Sequence, residues 1–269
     1  MKKLFSLLLA AGMLIVCLLP CARAEENIYC WNCGKQIPVW SNYCWACGSK
    51  VVKEETAEEE SGDVAVPEAG SEMTFGRYEQ DNAERNGAEA IEWLVLETDE
   101  ENGRVLLVSK YALDARPYND SYEDTAWESC SLSVWLNETF LNTAFSAAER
   151  QRIATTWVDN SKLQGYSGYE TDGENDTTNR IFLLSYAEAW KYFETDADRQ
   201  CENTAYAAAQ AGAHNAESAN AVRGACGWWL RSPGQSRSLA AMVDASGARS
   251  SYGVSSGSVC IRPAFWYQY

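Results

Sequence analysis

The chain has 269 residues, with 46% hydrophobic, 22% charged and 12% aromatic positions, enough for one or two domains with a sizeable core. Lysine and arginine number 22 against 38 aspartates and glutamates, a net charge of −16, and the pI is near 4.5. Nucleic acid and anionic lipid surfaces are therefore poor partners, because neutralising phosphates takes clustered Lys and Arg. The single histidine, His214, excludes any multi-histidine metal site and leaves a Ser-His-Asp triad only one residue to rest on. It lies in the run AAAQAGAHNAESANA and reads as a surface residue.

Residues 1–24, MKKLFSLLLAAGMLIVCLLPCARA, have the form of an export signal: basic Lys2 and Lys3, an apolar stretch from Leu4 to Leu19, and the small-x-small site Ala22-Arg23-Ala24. The apolar stretch is shorter than the roughly 20 residues that span a bilayer comfortably. Cleavage would remove Lys2, Lys3 and Arg23 and take the net charge from −16 to −19. The expectation is an exported, extracellular or surface-associated protein with no membrane insertion after cleavage. The alternative is an uncleaved signal that serves as an anchor.

Residues 28–49 contain Cys30-x2-Cys33 and Cys44-x2-Cys47, with Gly34 and Gly48 directly after the second cysteine of each pair. Two Cys-x2-Cys turns present four thiolates for tetrahedral zinc, and the glycines let the backbone turn with positive φ just past the ligands. With all four positions filled by protein, such a zinc is structural. Oxidation to disulfides outside the cell is the alternative. Redox catalysis is disfavoured because twenty residues cannot supply the βαβ framework of a thioredoxin-like Cys-x-x-Cys. This stretch resembles the small zinc-ribbon modules of bacterial proteins, through Cys33-Gly34-Lys35-Gln36-Ile37-Pro38 and the later Cys-x-x-Cys-Gly.

Residues 50–72 hold eight acids, two lysines and no aromatic residue, which reads as a solvated, disordered tether. The main domain is expected over 73–269. Runs at 91–97 and 104–110 flank an Asn102-Gly103 turn and predict a hairpin. Between 131 and 141, Leu132, Trp135, Leu136 and Phe140 share a helical face. Ser146–Glu149 and Ser185–Glu188 are capping boxes that open two short helices. Strands are predicted at 181–185, 226–232, 239–245 and 258–266. The fold class is α+β, a mainly antiparallel twisted sheet with a few short helices.

These segments carry a resemblance. Phe75-Gly-Arg-Tyr78, Ile91-Glu-Trp-Leu-Val-Leu96, Arg116-Pro-Tyr118, Trp127-Glu-Ser-Cys130, Trp135-Leu-Asn137, Trp228-Trp-Leu-Arg-Ser-Pro-Gly234 and Ile261-Arg-Pro-Ala264 resemble the family catalogued as domain of unknown function 6273. The resemblance implies an exported or membrane-tethered bacterial protein and no particular activity. The C-terminal segments are also similar to C-type-lectin-like domains, which implies a ligand-binding scaffold. The departures are clear: no copper-binding cysteine pair a few residues apart, no histidine cluster, and neither the Glu-Pro-Asn nor the Gln-Pro-Asp sugar-and-calcium signature.

Alternation along a strand places Trp228 and Leu230 on one face and Trp229 and Arg231 on the other. One tryptophan is expected in the core, and Trp229 beside Arg231 is the candidate stacking platform for a sugar or peptide. Asp172, Glu174 and Asp176 place carboxylates at alternating positions of a polar loop and form a partial calcium set. Cys130, Cys201, Cys226 and Cys260 remain, and Cys226 with Cys260 is the expected disulfide pair. The functional expectation is an exported, non-enzymatic module that binds a glycan or protein ligand, with a structural zinc ribbon. The rivals are a cell-wall or glycan-acting enzyme using acids of the main domain, and a scaffold that docks a partner through the ribbon.

Overall fold

The computed structural model describes residues 27–29, 35–38, 41, 43–50, 66–212 and 224–269. The signal segment, Cys30, Cys33, most of the tether and His214 lie outside them. The chain divides into two compact units, 1–62 and 63–269.

In the first unit, β1 (Asn27–Tyr29) and β2 (Gln36–Pro38) pair antiparallel. A tight turn follows, in which Gly48 N–H donates to the Cys44 carbonyl at 2.8 Å with Gly48 at φ +75°. Cys44 is buried and Cys47 exposed.

The second unit is α+β. Its four-stranded antiparallel sheet runs in the order β13 (Ala264–Gln268), β5 (Arg104–Ser109), β4 (Glu89–Asp99), β3 (Glu72–Tyr78). β4 buries Ile91, Trp93 and Val95 at alternating positions, and its turn into β5 closes on Gly103 in the left-handed region, as the Asn-Gly pair predicts. Residues 66–71 lie alongside β4: Gly70 N–H donates to the Val95 carbonyl and Val95 N–H to the Ser71 carbonyl. β3 bulges at Gly76, at φ +70°, where a Cβ would sit 2.5 Å from the Phe145 ring, so only glycine fits. That contact seats the sheet against a helical run of α1 (Ser131–Trp135), a π-helical turn (Leu136–Phe140) and α2 (Leu141–Ala144). Trp93, Phe145 and Phe265 pack there, with Trp93 and Phe265 edge-to-face at 4.7 Å.

The second sheet has five strands, in the order β11 (Arg249–Gly253), β10 (Leu239–Val243), β9 (Trp228–Pro233), β12 (Cys260–Ile261), β6 (Asp114–Ala115). Only the β9–β12 pairing is parallel. β7 (Thr156–Val158) and β8 (Thr177–Asn179) form a separate ribbon. Both capping boxes form, at α3 (Ala147–Gln151) and α4 (Tyr186–Tyr192); α5 (Asp196–Arg199) and α6 (Ala205–Ala211) complete the helices among the described residues.

Two expected strands differ. Residues 181–184 are buried, yet they make a single bridge, Phe182 to Ala264. Side chains take the backbone groups that a ladder would use: Asn137 holds both the N–H and the carbonyl of Ile181, and Arg231 holds the Leu183 carbonyl. The run 258–266 splits into β12 and β13, one in each large sheet. Pro263 has no N–H for a ladder, and the chain changes sheet there.

Candidate functional site

A cleft of about 360 Å³ with convergent polar groups lies between the loop after β6 and the outer face of α1 and the π-helical turn. That volume lies within the range of small-ligand pockets. Arg116 and Asp120 line one wall, and Trp135, Glu138 and Thr139 the other, above Leu132. The Arg116 guanidinium lies 4.8 Å from the centre of the half-buried Trp135 ring. Arg116 is exposed and makes no ion pair among the described residues. Its charge is therefore available beside an aromatic surface.

The walls are latched together. The Asn119 side-chain carbonyl accepts from Ser131 N–H at 3.2 Å, Ser131 Oγ accepts from Asp120 N–H at 3.0 Å, and Tyr118 O accepts from Leu132 N–H at 3.2 Å. The π-helical turn presents Glu138 and Thr139. Inside it, Asn137 Nδ2 donates to the Ser133 carbonyl, the acceptor that a backbone N–H four residues on takes in a regular α-helix. Widened turns of this kind recur at functional sites.

The structure places Trp229 and Arg231 in the core. Trp229 has no exposed surface, and its indole N–H donates to the Arg116 carbonyl at 2.9 Å. It supports the cleft wall from behind and offers no stacking face. Arg231 is 3% exposed and pairs with Glu188 in a fork, while its remaining N–H groups go to the Leu183 and Asp159 carbonyls and to Asn160 Oδ1. β9 is a central strand, its edges paired to β10 and β12, and consecutive residues from Trp228 to Ser232 are buried, so neither of its faces is open. Trp135, expected to share a helical face with Leu132, Leu136 and Phe140, is half-buried and is the aromatic residue that reaches the cleft.

Asp172, Glu174 and Asp176 do not converge. Asp172 accepts from Glu174 N–H, the Glu174 carboxylate pairs with Arg237, and Asp176 accepts from Asn160 N–H. Among the described residues, the carboxylates that do converge are those of Glu79, Asp81 and Glu89, within 4.8 Å of one another. They are already engaged by the backbone N–H groups of Gln80 and Ala83 and by the Asn86 amide.

Behind the cleft loop, Asp114 is 3% exposed and accepts from Tyr78 Oη at 2.6 Å and from its neighbour Ala115 N–H at 2.7 Å. Burial pushes the Asp114 carboxyl up, against the pull of those bonds and of Arg116, and burial raises the Tyr78 phenol as well. Cys201, Cys226 and Cys260 are buried together. The expected pair is offset in register: Cys260 lies opposite Trp228 in the parallel pairing with β9, two residues beyond Cys226.

A sequence model described as domain of unknown function (DUF6273) matches residues 102–269. The chain belongs to this family. The match to the DUF6273 family takes in both walls of the cleft, β9 and the three thiols. β3 and β4 precede it, although β4 pairs with β5 from Trp93 to Asp99. Neither a curated protein nor a solved structure matches the chain. No helix among the described residues is long and apolar enough to cross a membrane.

Proposed function

We propose that the protein is an exported, non-enzymatic binding protein whose main domain, 73–269, takes an acidic sugar residue of a glycan in the Arg116–Trp135 cleft. The observation that carries this reading is an exposed guanidinium with no ion pair among the described residues, 4.8 Å from the centre of a half-buried tryptophan ring at the mouth of a latched cleft. A sugar carboxylate would pair with Arg116, the Trp135 ring would cover an apolar sugar face, and Asp120, Glu138, Ser131 and Thr139 would accept from or donate to hydroxyl groups.

The reading includes three coarser expectations. Cys30, Cys33, Cys44 and Cys47 hold a structural zinc in the N-terminal unit, supported by the paired Cys-x2-Cys spacing and by the left-handed turn at Gly48. Bound zinc supplies folding energy there and no open coordination position. The acidic tether expected over 50–72 joins this unit to the main domain, its last residues, 70–72, already pairing with β4. A C-type-lectin-like architecture is supported by the order of β9, the β10–β11 hairpin and β13.

The test is binding of the purified full chain to cell-wall and host glycans, including uronic and muramic acid residues. Saturable binding is expected, weakened at least tenfold in both Trp135→Ala and Arg116→Met while their thermal midpoints stay within a few degrees of the parent. Absence of binding to any glycan, or binding that ignores both substitutions, would overturn the reading. A second reading is favoured by the two carboxylates, Asp120 and Glu138, in one cleft: glycan cleavage that is lost in Glu138→Gln would make the protein an enzyme.

A further inference from the structure

The three buried cysteines of the main domain are placed unequally. Cys201 follows α5, and Cys226 opens the run into β9. The backbone joins them directly: Cys226 N–H donates to the Cys201 carbonyl at 2.9 Å, Asn203 N–H donates to the Gly224 carbonyl at 3.0 Å, and Glu202 bridges Ala225 antiparallel between these bonds. Cys201 and Cys226 are thus directly opposed residues of an antiparallel bridge. Opposed residues at a hydrogen-bonded position have Cα atoms about 5.5 Å apart, inside the roughly 4.4–6.8 Å range that a disulfide spans.

Cys260 stands differently. Its N–H donates to the Gly227 carbonyl at 2.8 Å, and it is opposite Trp228 in a parallel pairing. An interstrand spacing of about 4.8 Å with two rises of about 3.3 Å puts its Cα about 8 Å from that of Cys226, beyond the ~7 Å that a disulfide bridges without backbone movement. Cys226 still hydrogen-bonds through its thiol with both neighbours, so the three sulfurs form one cluster with Cys226 at its centre.

A buried cation completes the site. Arg262 is 2% exposed, lies over the Phe193 and Trp228 rings at 4.7 and 5.1 Å, and donates through Nε to the Ser109 carbonyl at 2.8 Å. It makes no ion pair among the described residues, and its Nη1 has no hydrogen-bond partner. The hydrogen bond from Cys226 and, secondarily, the Arg262 charge hold the Cys201 thiol below the usual cysteine range, against desolvation. The Cys226 thiol is pushed up by its two thiol neighbours and by burial. Cys201 Sγ also donates to the Glu202 and Lys110 carbonyls, at 3.5 and 3.6 Å.

We propose that Cys201 and Cys226 form the oxidisable pair of this domain, with Cys201 as the attacking sulfur, Cys226 as the resolving sulfur, and Cys260 left as a thiol. The oxidant is a disulfide, small or protein-borne. The Cys201 thiolate attacks one of its sulfurs and expels a thiolate; Cys226 gives its proton to that thiolate and attacks the Cys201 sulfur, expelling the second. One protein disulfide forms, and the oxidant is reduced to one thiol and one thiolate, which takes from water the proton that Cys201 gave up on ionising. Both sulfurs are buried, so exchange belongs to folding or to local opening.

The test is to refold the reduced full chain in oxidised and reduced glutathione at graded ratios, block remaining thiols with iodoacetamide under denaturing conditions, and map non-reduced tryptic peptides by mass spectrometry. Arg199, Arg223, Arg231 and Arg249 put Cys201, Cys226 and Cys260 in separate peptides, 200–223, 224–231 and 250–269, since trypsin does not cut before Pro263. The expected product is 200–223 linked to 224–231, with Cys260 alkylated, unchanged in Cys260→Ser and absent in Cys226→Ser. A link between 224–231 and 250–269 would overturn the assignment, as would alkylation of all three cysteines at every ratio.

Discussion

The fork between Arg231 and Glu188 joins β9 to the first turn of α4, and Glu188→Gln tests it cleanly. Glutamine keeps the volume, and it keeps the capping box, because an amide at the third helical position still accepts from Ser185 N–H. What it removes is the countercharge of a guanidinium whose side chain is only 2% exposed. Breaking one partner of a buried pair costs about 3–5 kcal/mol. The Glu188 side chain is 27% exposed, and three other acceptors stay on Arg231, so the low end, about 3 kcal/mol, is expected. With a urea dependence of about 2 kcal/mol per molar, the unfolding midpoint should fall by roughly 1.5 M. Tryptophan fluorescence of the full chain in urea reports it, since Trp228 and Trp229 are both buried. Combined with Arg231→Met, the substitution should add far less than it costs alone, because no cation then remains to be balanced. A midpoint shift below about 0.3 M for Glu188→Gln would refute the reasoning: the backbone acceptors alone would then suffice for the charge.

Trp229→Phe removes the indole N–H from the Arg116 carbonyl and should weaken glycan binding severalfold with a stability loss of about 1–3 kcal/mol, measured by binding and by urea titration on one preparation. Unchanged binding would separate Trp229 from the cleft. Asp114 is a carboxyl raised by burial, so the native state holds its proton more tightly than the unfolded chain; its contribution to stability is fully present below about pH 4 and is lost as pH rises through the raised folded value. Asp114→Asn should therefore gain stability relative to the parent as pH increases above about 4, in urea midpoints taken pH by pH. A parent-minus-variant difference that is flat with pH would show that the fold leaves the Asp114 carboxyl titrating as it does in the unfolded chain.

Local signals read true in this chain because their physics is local. The two capping boxes are satisfied within three residues, the Asn102-Gly103 turn needs only a left-handed glycine, and the 131–141 periodicity lays Leu132, Leu136 and Phe140 into the core. Trp228-Trp-Leu carried a readable warning as well, since an uninterrupted apolar run marks a strand covered on both faces. Alternation alone led instead to an exposed Trp229. The cleft was beyond such reasoning: Arg116 and Trp135 are nineteen positions apart in sequence and meet because Trp229, Asn119 and Ser131 hold the intervening loop. The thiol pairing depends on register in the same way. Cys260 and Cys226 both border β9, and only the parallel offset shows that Cys201 is the better-placed partner.

β9 separates the two sites by its own alternation. Residues 226, 228 and 230 share one face, where the thiols and Arg262 lie, and 229 and 231 share the other, where the indole supports Arg116. Closing a Cys201–Cys226 bond draws together residues that already exchange a backbone hydrogen bond, so little movement enters the strand. At Trp228 β9 is held by β10 on one edge and β12 on the other, and a displacement at Cys226 would have to shear both pairings to reach Trp229. Glycan affinity should therefore differ less than twofold between the oxidised and reduced protein, measured on samples whose linkage has been mapped. A change of tenfold or more, absent in Cys226→Ser, would mean that β9 slides as a unit and that the thiol pair regulates the cleft. In that case the Trp229–Arg116 hydrogen bond is the contact through which the shift would be felt, and Trp229→Phe should erase the difference between the two redox forms.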